Sequence, residues 1–274
     1  MDNRLLYILS AAALIAACGG TTDTANDPTN VAFGTTAIVV VVNPPINDGN
    51  AKAVAAPGAT RAGVKVSTDD GLAATTDAAG VAVLAPVTPG ARTLTFAGAS
   101  ATGTVAVTIA NGALLELAVA SDASRAQTMV TVDYKTDQAV QVAPSMTTAD
   151  VNAILKVSDR VVFFAGGHYA GDLDFSASRV TLFGEGALGG RVFFDGNLKV
   201  TGSDNRIRGT HVVGNLTIMG SGVGVSFSRV DGTIAAAASD GRLLANALCG
   251  ADTVTGSGTI VVGNTGMPPL TACP

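Results

Sequence analysis

Four charged side chains are candidates for acid–base chemistry: Asp172, Asp174, Asp195 and Arg208. Paired carboxylates can act as the acid and the base of glycoside hydrolysis. The chain has an eighteen-residue repeat, described below, and Asp172 and Arg208 are equivalent positions in repeats that lie two turns apart. Two turns would separate them by about 10 Å, a distance at which they could flank a sugar. The other members of this position are a glycine and a serine, so no ladder of carboxylates continues. We therefore expect solvated surface positions and a protein without catalytic activity.

The chain contains two histidines, His168 and His211, which fall at different positions of this repeat. Two imidazoles held apart form neither a metal site nor a catalytic triad, so the sequence predicts no metal ion. The position of His211 also holds Phe175, Phe193 and Arg229. Because the next position is apolar and faces inward, these four side chains would form an outward stripe able to contact a sugar. The alternative is that the linker or the N-terminal part of the chain packs on this stripe.

The first residues indicate export. A thirteen-residue apolar stretch from Leu5 to Ala17 is too short to span a bilayer and has the length of a signal-peptide core. It ends in Ile15-Ala16-Ala17-Cys18, which resembles the lipobox of bacterial lipoproteins, where the thiol receives the lipid. The resemblance implies a signal peptide over 1–17 and lipidation of Cys18. Because Gly19 follows instead of an aspartate, it also implies anchoring in the outer membrane.

The other two of the three cysteines, Cys249 and Cys273, form an even pair. Outside the cytoplasm such a pair is expected to be oxidised. A bridge that closes a loop of about 24 residues would stabilise the fold by roughly 3 kcal/mol on the chain-entropy model. The sequence therefore predicts a structural disulfide.

The composition favours stacked or twisted β-structure over a helical bundle. Hydrophobic residues make up 47% of the 274 residues and aromatic residues only 4%, with 33 glycines and no tryptophan. The core must therefore be mainly aliphatic. The net charge of −5 lacks the basic excess that nucleic-acid binding requires. It also offers no attraction to anionic lipid, so membrane attachment must come from a covalent anchor.

The chain repeats itself at a fixed interval. Gly196, Gly214, Gly232 and Gly250 are each eighteen residues apart, and the frame can be extended back to Arg160. Several positions stay apolar from turn to turn, which predicts short strands that stack about 4.8 Å apart around an aliphatic interior. Two of these positions consist of Val162, Val180, Leu198, Leu216 and Ile234, and of Phe194, Val212, Val230 and Leu248. Another pair of equivalent residues, Asn197 and Asn215, would form a short amide ladder at a corner.

Both ends of such a solenoid expose strand edges that must be covered. A helix signal near 148–156, with Thr147 or Thr148 as its N-cap, lies just before the first turn and can cap it. The tail from Gly263 to Pro274 can cap the other end, where the predicted disulfide would pin it.

The preceding part of the chain divides into three segments. Residues 18–36 are predicted to be a flexible tether, 37–121 a β-sandwich of six or seven short strands, and 122–146 a hairpin or linker. The stretch from Gly63 to Phe96 resembles the carboxypeptidase-regulatory or transthyretin-like sandwich, which is nearly silent on function. The solenoid with its cap helix and tail then occupies 147–274.

The helix signal followed by VVFFAGGHYAGDL, together with GSDNRIRGTHVVGNLTIMGS, resembles the pectin-lyase-like family over about 147–262. The predicted fold is therefore all-β, a small β-sandwich followed by a short right-handed parallel β-helix of about six 18-residue turns. The family includes polysaccharide lyases, which hold Ca²⁺ with carboxylates and use an Arg or Lys base, and hydrolases. As an alternative, the resemblance thus implies an enzyme whose candidates are the four charged residues named first, with Ca²⁺ as cofactor only in that case.

Three functions are compatible with these patterns. The first is a non-enzymatic, lipid-anchored outer-membrane protein that presents the β-helix to a polysaccharide or to another envelope protein, with no nucleic acid as partner. The second is the polysaccharide lyase or glycoside hydrolase. The third is a surface rod that assembles end to end through imperfectly capped turns.

Overall fold

The structure is a computed structural model. It describes residues 31, 34–42, 46–47, 52–53, 61–78, 80–119, 127–133, 139–184, 191–244 and 246–262. The strands of the N-terminal part are β1 (Ala37–Val42), β2 (Ile46–Asn47), β3 (Lys52–Ala53), β4 (Lys65–Thr68), β5 (Ala73–Thr75), β6 (Val81–Leu84), β7 (Gly90–Ala97), β8 (Thr102–Ile109), β9 (Ala113–Val119) and β10 (Gln127–Asp133).

The C-terminal part begins with β11 (Ala139–Val142) and the helix α1 (Thr148–Ile154). The strands that follow are β12 (Val161–Phe164), β13 (Gly167–Tyr169), β14 (Leu173–Phe175), β15 (Thr181–Phe183), β16 (Val192–Phe194), β17 (Leu198–Val200), β18 (Arg206–Arg208), β19 (His211–Val212), β20 (Leu216–Ile218), β21 (Gly224–Ser226), β22 (Arg229–Val230), β23 (Ile234–Ala236), β24 (Arg242–Leu244), β25 (Ala247–Leu248), β26 (Asp252–Val254) and β27 (Ile260–Val262). None of the described helical residues forms a segment of sufficient length and apolarity to cross a membrane.

β1 and β4 to β10 form the N-terminal module, which consists of two four-stranded sheets. Their strand orders are β10-β9-β1-β6 and β5-β4-β7-β8. Apolar side chains of both sheets, such as Ile38 and Val40 from the first and Leu94 and Phe96 from the second, belong to one buried cluster. The alternation in β7 follows from this arrangement, because only one side of that sheet is buried.

β1 is buried along its whole length. Ile38 and Val40 point into the module, whereas Val39 and Val41 pack with Val161 and other residues of the C-terminal part. The continuous apolar run of this strand is thus explained, since a strand covered on both faces needs no polar alternation.

The C-terminal part, the coil module, is a stack of parallel strands. The first coil sheet runs β11-β12-β15-β18-β21-β24-β27, the second β13-β16-β19-β22-β25 and the third β14-β17-β20-β23-β26. Every pairing within these three series is parallel. Each of the five coils from β12–β14 to β24–β26 contributes one strand to each sheet, and β11 and β27 extend the first sheet at its two ends. The described chain is therefore all-β apart from α1, with the stacked parallel sheets of a β-helix-like fold.

The predicted aliphatic interior is confirmed. Leu198, Leu216 and Ile234 pair in register in the third coil sheet and are at most 3% exposed. They belong to one cluster with the inward side chains of the other two coil sheets. Glycine at the corner after β17, β20 and β26 lets successive coils approach closely, since a Cβ on Gly220 would lie 1.9 Å from the backbone oxygen of Gly202.

The eighteen-residue frame is wrong for the first coils. Thr181 pairs with Val161, twenty residues earlier, and with Arg206, twenty-five residues later, whereas Arg206 pairs with Gly224 after eighteen. Seven extra residues lie between β15 and β16, where residues 185–190 are outside the described part. As a result, Val162 and Val180 do not stack with Leu198, whose partner on the preceding coil is Leu173.

The helix prediction is confirmed, and the hairpin prediction is wrong. α1 begins after the N-cap Thr147 with a capping box to Asp150, and Val151 joins the interior cluster of the coil module. β10 pairs with β9 and β11 pairs with β12, so these two strands enter different sheets. Neighbouring modules, not the local turn signal, decide their partners.

β2 covers the far edge of the first coil sheet by antiparallel pairing with β27, and β3 pairs with β2 in turn. The capping role predicted for the tail concerns residues 263–274, which lie outside the described residues. The signal peptide, Cys18, most of the tether and Cys273 lie outside them as well.

Candidate functional site

The outward side of the second coil sheet carries a row of stacked rings. His168, Phe193, His211 and Arg229 are register partners on β13, β16, β19 and β22. The rings of His168 and Phe193 are 4.5 Å apart and nearly parallel, at 5°, and those of Phe193 and His211 are 4.9 Å apart. The intervening inward residues, such as Phe194, are buried in the interior. We call these four outward residues the aromatic stripe.

Phe175 was wrongly predicted to belong to this stripe. It lies on β14, is fully buried and pairs with Val200 in the third coil sheet. The seven-residue insertion shifts the register, so that His168, twenty-five residues before Phe193, holds the place assigned to Phe175. Among the described residues, the apolar cluster that the N-terminal module shares with the coil module involves the first coil sheet.

Two aspartates hold the polar members of the stripe in place. His168 Nδ1 lies 2.8 Å from Asp195 Oδ1, and His211 Nε2 lies 2.7 Å from Asp231 Oδ2. Arg229 Nε donates to Asp231 Oδ1 at 2.6 Å. Burial acts to raise the pKa of Asp231, but the hydrogen bonds from Arg229 and His211 outweigh it and lower that pKa below its usual value.

An open groove of about 420 Å³ follows the outward side of the third coil sheet. Its walls carry carboxylate, amide, ammonium and hydroxyl groups, from Asp172, Asp174, Asn197, Lys199, Asn215 and Thr217. On the outward side, Asp174 on β14 pairs in register with Lys199 on β17, which pairs with Thr217 on β20. The groove therefore presents one set of polar groups for each of three successive coils.

The predicted amide ladder forms along the edge of this groove and is longer than expected. Asp172 Oδ1 accepts from Asn197 N at 2.8 Å and Nδ2 at 3.0 Å. Asn197 Oδ1 accepts from Asn215 N at 2.9 Å and Nδ2 at 3.0 Å. Asn215 Oδ1 in turn accepts from Thr233 N and Oγ1, both at 2.8 Å. This exposed ladder fixes the groove side chains at the spacing of the coils.

The structure separates the four charged residues that were considered as a catalytic set. Asp172 and Asp174 lie in the groove, Asp195 lies beside the stripe, and Arg208 is buried on β18 of the first coil sheet. Asp172 and Arg208 do not share a position, because the register partner of Arg208 on the preceding coil is Phe183. The groove brings together two of the four, and its cation is Lys199.

Arg208 has a structural partner that the sequence did not reveal. Its Nε donates to Glu116 Oε1 at 2.7 Å, and its guanidinium lies 5.3 Å from the ring centre of Phe227. Glu116 is fully buried on β9, and Arg208 is 2% exposed. The pair connects the N-terminal module to the first coil sheet. The available signal was the single charge within the apolar run LLELAV.

Within the described residues, no three or more His, Cys, Asp or Glu side chains are grouped so that they could hold a metal ion. Cys249 follows β25, but its proposed partner Cys273 is outside the described part, so the disulfide stays a prediction. No family model, no curated protein and no solved structure matches this chain. What the site does must therefore be argued from its geometry.

The two surfaces offer different chemistry. The ring of Phe193 stacks on that of His168 and contacts that of His211 at a tilt of 47°, so the two imidazoles cover part of it. The groove offers an open row of hydrogen-bonding groups without an aromatic platform. Such a surface suits a ligand rich in hydroxyl groups, which can both donate and accept.

Proposed function

We propose that this protein is a lipid-anchored, non-enzymatic protein of the bacterial outer membrane that binds polysaccharide in the groove of its coil module. Cys18 would carry the anchor, residues 18–36 would serve as the tether, and the N-terminal module would lift the coils off the membrane. The two sheets with a shared core support reading that module as a β-sandwich. The stacked parallel sheets support a parallel β-helix. Its right-handed, pectin-lyase-like form is proposed from the sequence resemblance alone.

The observation that carries the proposal is the repetition of polar groups along the groove. Each of three coils presents its own hydrogen-bonding side chains, and the coils are about 4.8 Å apart. A polymer that repeats along its length can use such a row at every unit, whereas a small compact ligand could use only part of it. The groove is open and not enclosed, which also suits a long ligand.

An enzymatic role receives no support from the positions of the charged residues. Arg208 is buried in a pair with Glu116, and Asp195 is held by His168 on another sheet. Asp172 accepts two hydrogen bonds from Asn197 as the first member of the ladder. These side chains thus serve the fold or the shape of the surface.

A glycan array tests the proposal. We expect the mature chain, made soluble by Cys18→Ser, to bind one class of polysaccharide. Binding should weaken about tenfold in Lys199→Ala, because a hydrogen bond from a charged group is lost. Lys156→Ala is the matched control, since Lys156 is an exposed lysine outside the groove. Capture of an envelope protein without glycan binding, or shortening of a bound polysaccharide over time, would overturn the proposal.

The anchor has its own test. In a bacterial host, the full chain should incorporate labelled fatty acid and sediment with membranes. Cys18→Ser should abolish the label, because the variant lacks the thiol that receives the lipid. Cys249→Ser is the control that replaces a cysteine elsewhere in the chain. Labelled Cys18→Ser protein would show that the anchor prediction is wrong.

A further inference from the structure

The groove carries more negative than positive charge. Asp172 and Asp174 are opposed by Lys199, and the remaining groups are the neutral amides and hydroxyls of Asn197, Asn215 and Thr217. Asp172 and Lys199 are exposed, so both reach a bound ligand. A polyanionic glycan would therefore meet two carboxylates for each ammonium group, within a chain of net charge −5.

The polar residues of the groove form a row that runs across successive coils and stops after the third. Along β14, β17 and β20, the outward partners are Asp174, Lys199 and Thr217, and the next partner on β23 is Ala235. Polar groups on this line thus cover three coils before an apolar residue interrupts them. Three coils span two steps of about 4.8 Å, or about 10 Å.

From these observations we infer that the groove takes an uncharged glycan that lies parallel to the stack of coils, with successive sugar units over β14, β17 and β20. Sugar hydroxyls would donate to Asp172 and Asp174 at the first coil, accept from Lys199 at the second and exchange hydrogen bonds with Thr217 at the third. This inference rests on the proposed function and adds to it the class of the ligand and its orientation.

Charge selectivity is the first test. Binding of the full mature Cys18→Ser chain is measured at low salt for a neutral hexose polymer and for a uronic acid polymer of similar length. We expect the uronate to bind about fivefold more weakly. At about 4 Å in water a pair of unit charges interacts by about 1 kcal/mol, so repulsion by the two carboxylates exceeds attraction by Lys199 by about 1 kcal/mol. This difference should shrink as salt is added. Equal or tighter binding of the uronate would overturn the inference.

Chain length and position provide the second test. Affinity should rise from the disaccharide to an oligomer of about three units and then level off, since the polar row ends after three coils. Thr217→Ala should weaken binding of the trimer about fivefold, the effect of one hydrogen bond. Thr253→Ala is the matched control, because Thr253 lies on the same line two coils further, beyond Ala235.

The outcomes separate this inference from the proposed function. If a polysaccharide binds but Thr217→Ala and Thr253→Ala have equal effects, or affinity is already maximal for the disaccharide, the orientation is wrong while the proposed function stands. If no glycan binds at all, both fail. Circular dichroism of Thr217→Ala shows whether a loss of binding comes from unfolding, and Thr217→Ser should restore binding.

Discussion

At the scale of single residues, the stability of the fold should depend strongly on the buried ion pair between Glu116 and Arg208. Both side chains are within 2% of complete burial at the contact between the two modules. Removing one partner of a buried pair leaves the other charge without compensation and typically costs about 3–5 kcal/mol. We therefore expect Glu116→Gln to lower the free energy of unfolding by about that amount, measured by urea denaturation.

The double variant Glu116→Gln/Arg208→Met is the control for this prediction. It removes both charges and keeps similar volumes, so it should be more stable than Glu116→Gln alone. If the effects of Glu116→Gln and of the single variant Arg208→Met add up to the effect of the double variant, the pair contributes no coupling and the contact between the modules depends on apolar packing alone.

Single residues were predictable from the sequence where the repeat was regular. In two successive repeats a corner glycine is followed by an asparagine and a leucine, Asn197-Leu198 and Asn215-Leu216. The structure stacks the equivalent residues as expected. Phe175 was not predictable in the same way, because an insertion in the loop before β16 changes the register without changing the local pattern of apolar residues. Glu116 was missed because burial of a charge depends on a partner distant in the chain.

At the scale of elements, α1 covers the first edge of the third coil sheet, where the side chain of Asn152 takes the place of a neighbouring strand. Asn152 Nδ2 donates to the backbone oxygen of Asp172 at 3.1 Å, and its Oδ1 accepts from Asp174 N at 2.8 Å. A side-chain amide thus makes the two hydrogen bonds that a neighbouring strand would have made. The edge of β14 is satisfied although no strand precedes it in its sheet.

Asn152→Leu should remove the hydrogen bonds that the side chain of Asn152 makes to these two backbone groups. We expect a loss of about 1–3 kcal/mol in unfolding free energy, since the partly buried amide of Asp174 loses its hydrogen-bond partner. Hydrogen exchange at the amide of Asp174 should accelerate more than at Leu198, which is bonded within the sheet. Ala153→Ser, at an exposed position of the same helix, is the control. Unchanged exchange at Asp174 would contradict the capping role of Asn152.

The helix was predictable because its start depends on adjacent residues. Thr147 and Asp150 form the capping box, and Val151 supplies the buried contact, all within one turn. The pairing of β10 and β11 was not, because a strand finds its partner through the tertiary fold. A short polar segment between two apolar runs is typical of a hairpin, but here each strand joins a different module.

At the scale of the whole molecule, the two modules protect each other. β1 is covered on one face by its own module and on the other by the first coil sheet. β2, which follows β1 in the chain, pairs with β27, the last strand of the parallel series in that sheet. The sequence predicted both modules but not this contact, because the run AIVVVV gives the burial of β1 without naming what covers its second face.

The pairing of β2 with β27 also bears on self-assembly. An open end of a parallel stack is a template for another copy, and terminal elements normally block it. The first coil sheet ends in antiparallel β2 and β3, which break the parallel series. We therefore expect the delipidated protein to sediment as a monomer, in contrast to the rod that the repeat alone would allow.

Uncovering that end should change the outcome. In an antiparallel pair, successive residues bond to opposite neighbours, so one of Ile46 and Asn47 must use its backbone groups toward β27. The double variant Ile46→Pro/Asn47→Pro removes both amide hydrogens and should free the edge of β27, because proline cannot donate. Analytical ultracentrifugation should then show association that grows with concentration, and hydrogen exchange at Val261 and Val262 should accelerate. Ile46→Ala/Asn47→Ala keeps the amide hydrogens and should stay monomeric. If exchange accelerates in the proline variant and the protein still sediments as a monomer, β2 is not what prevents end-to-end assembly.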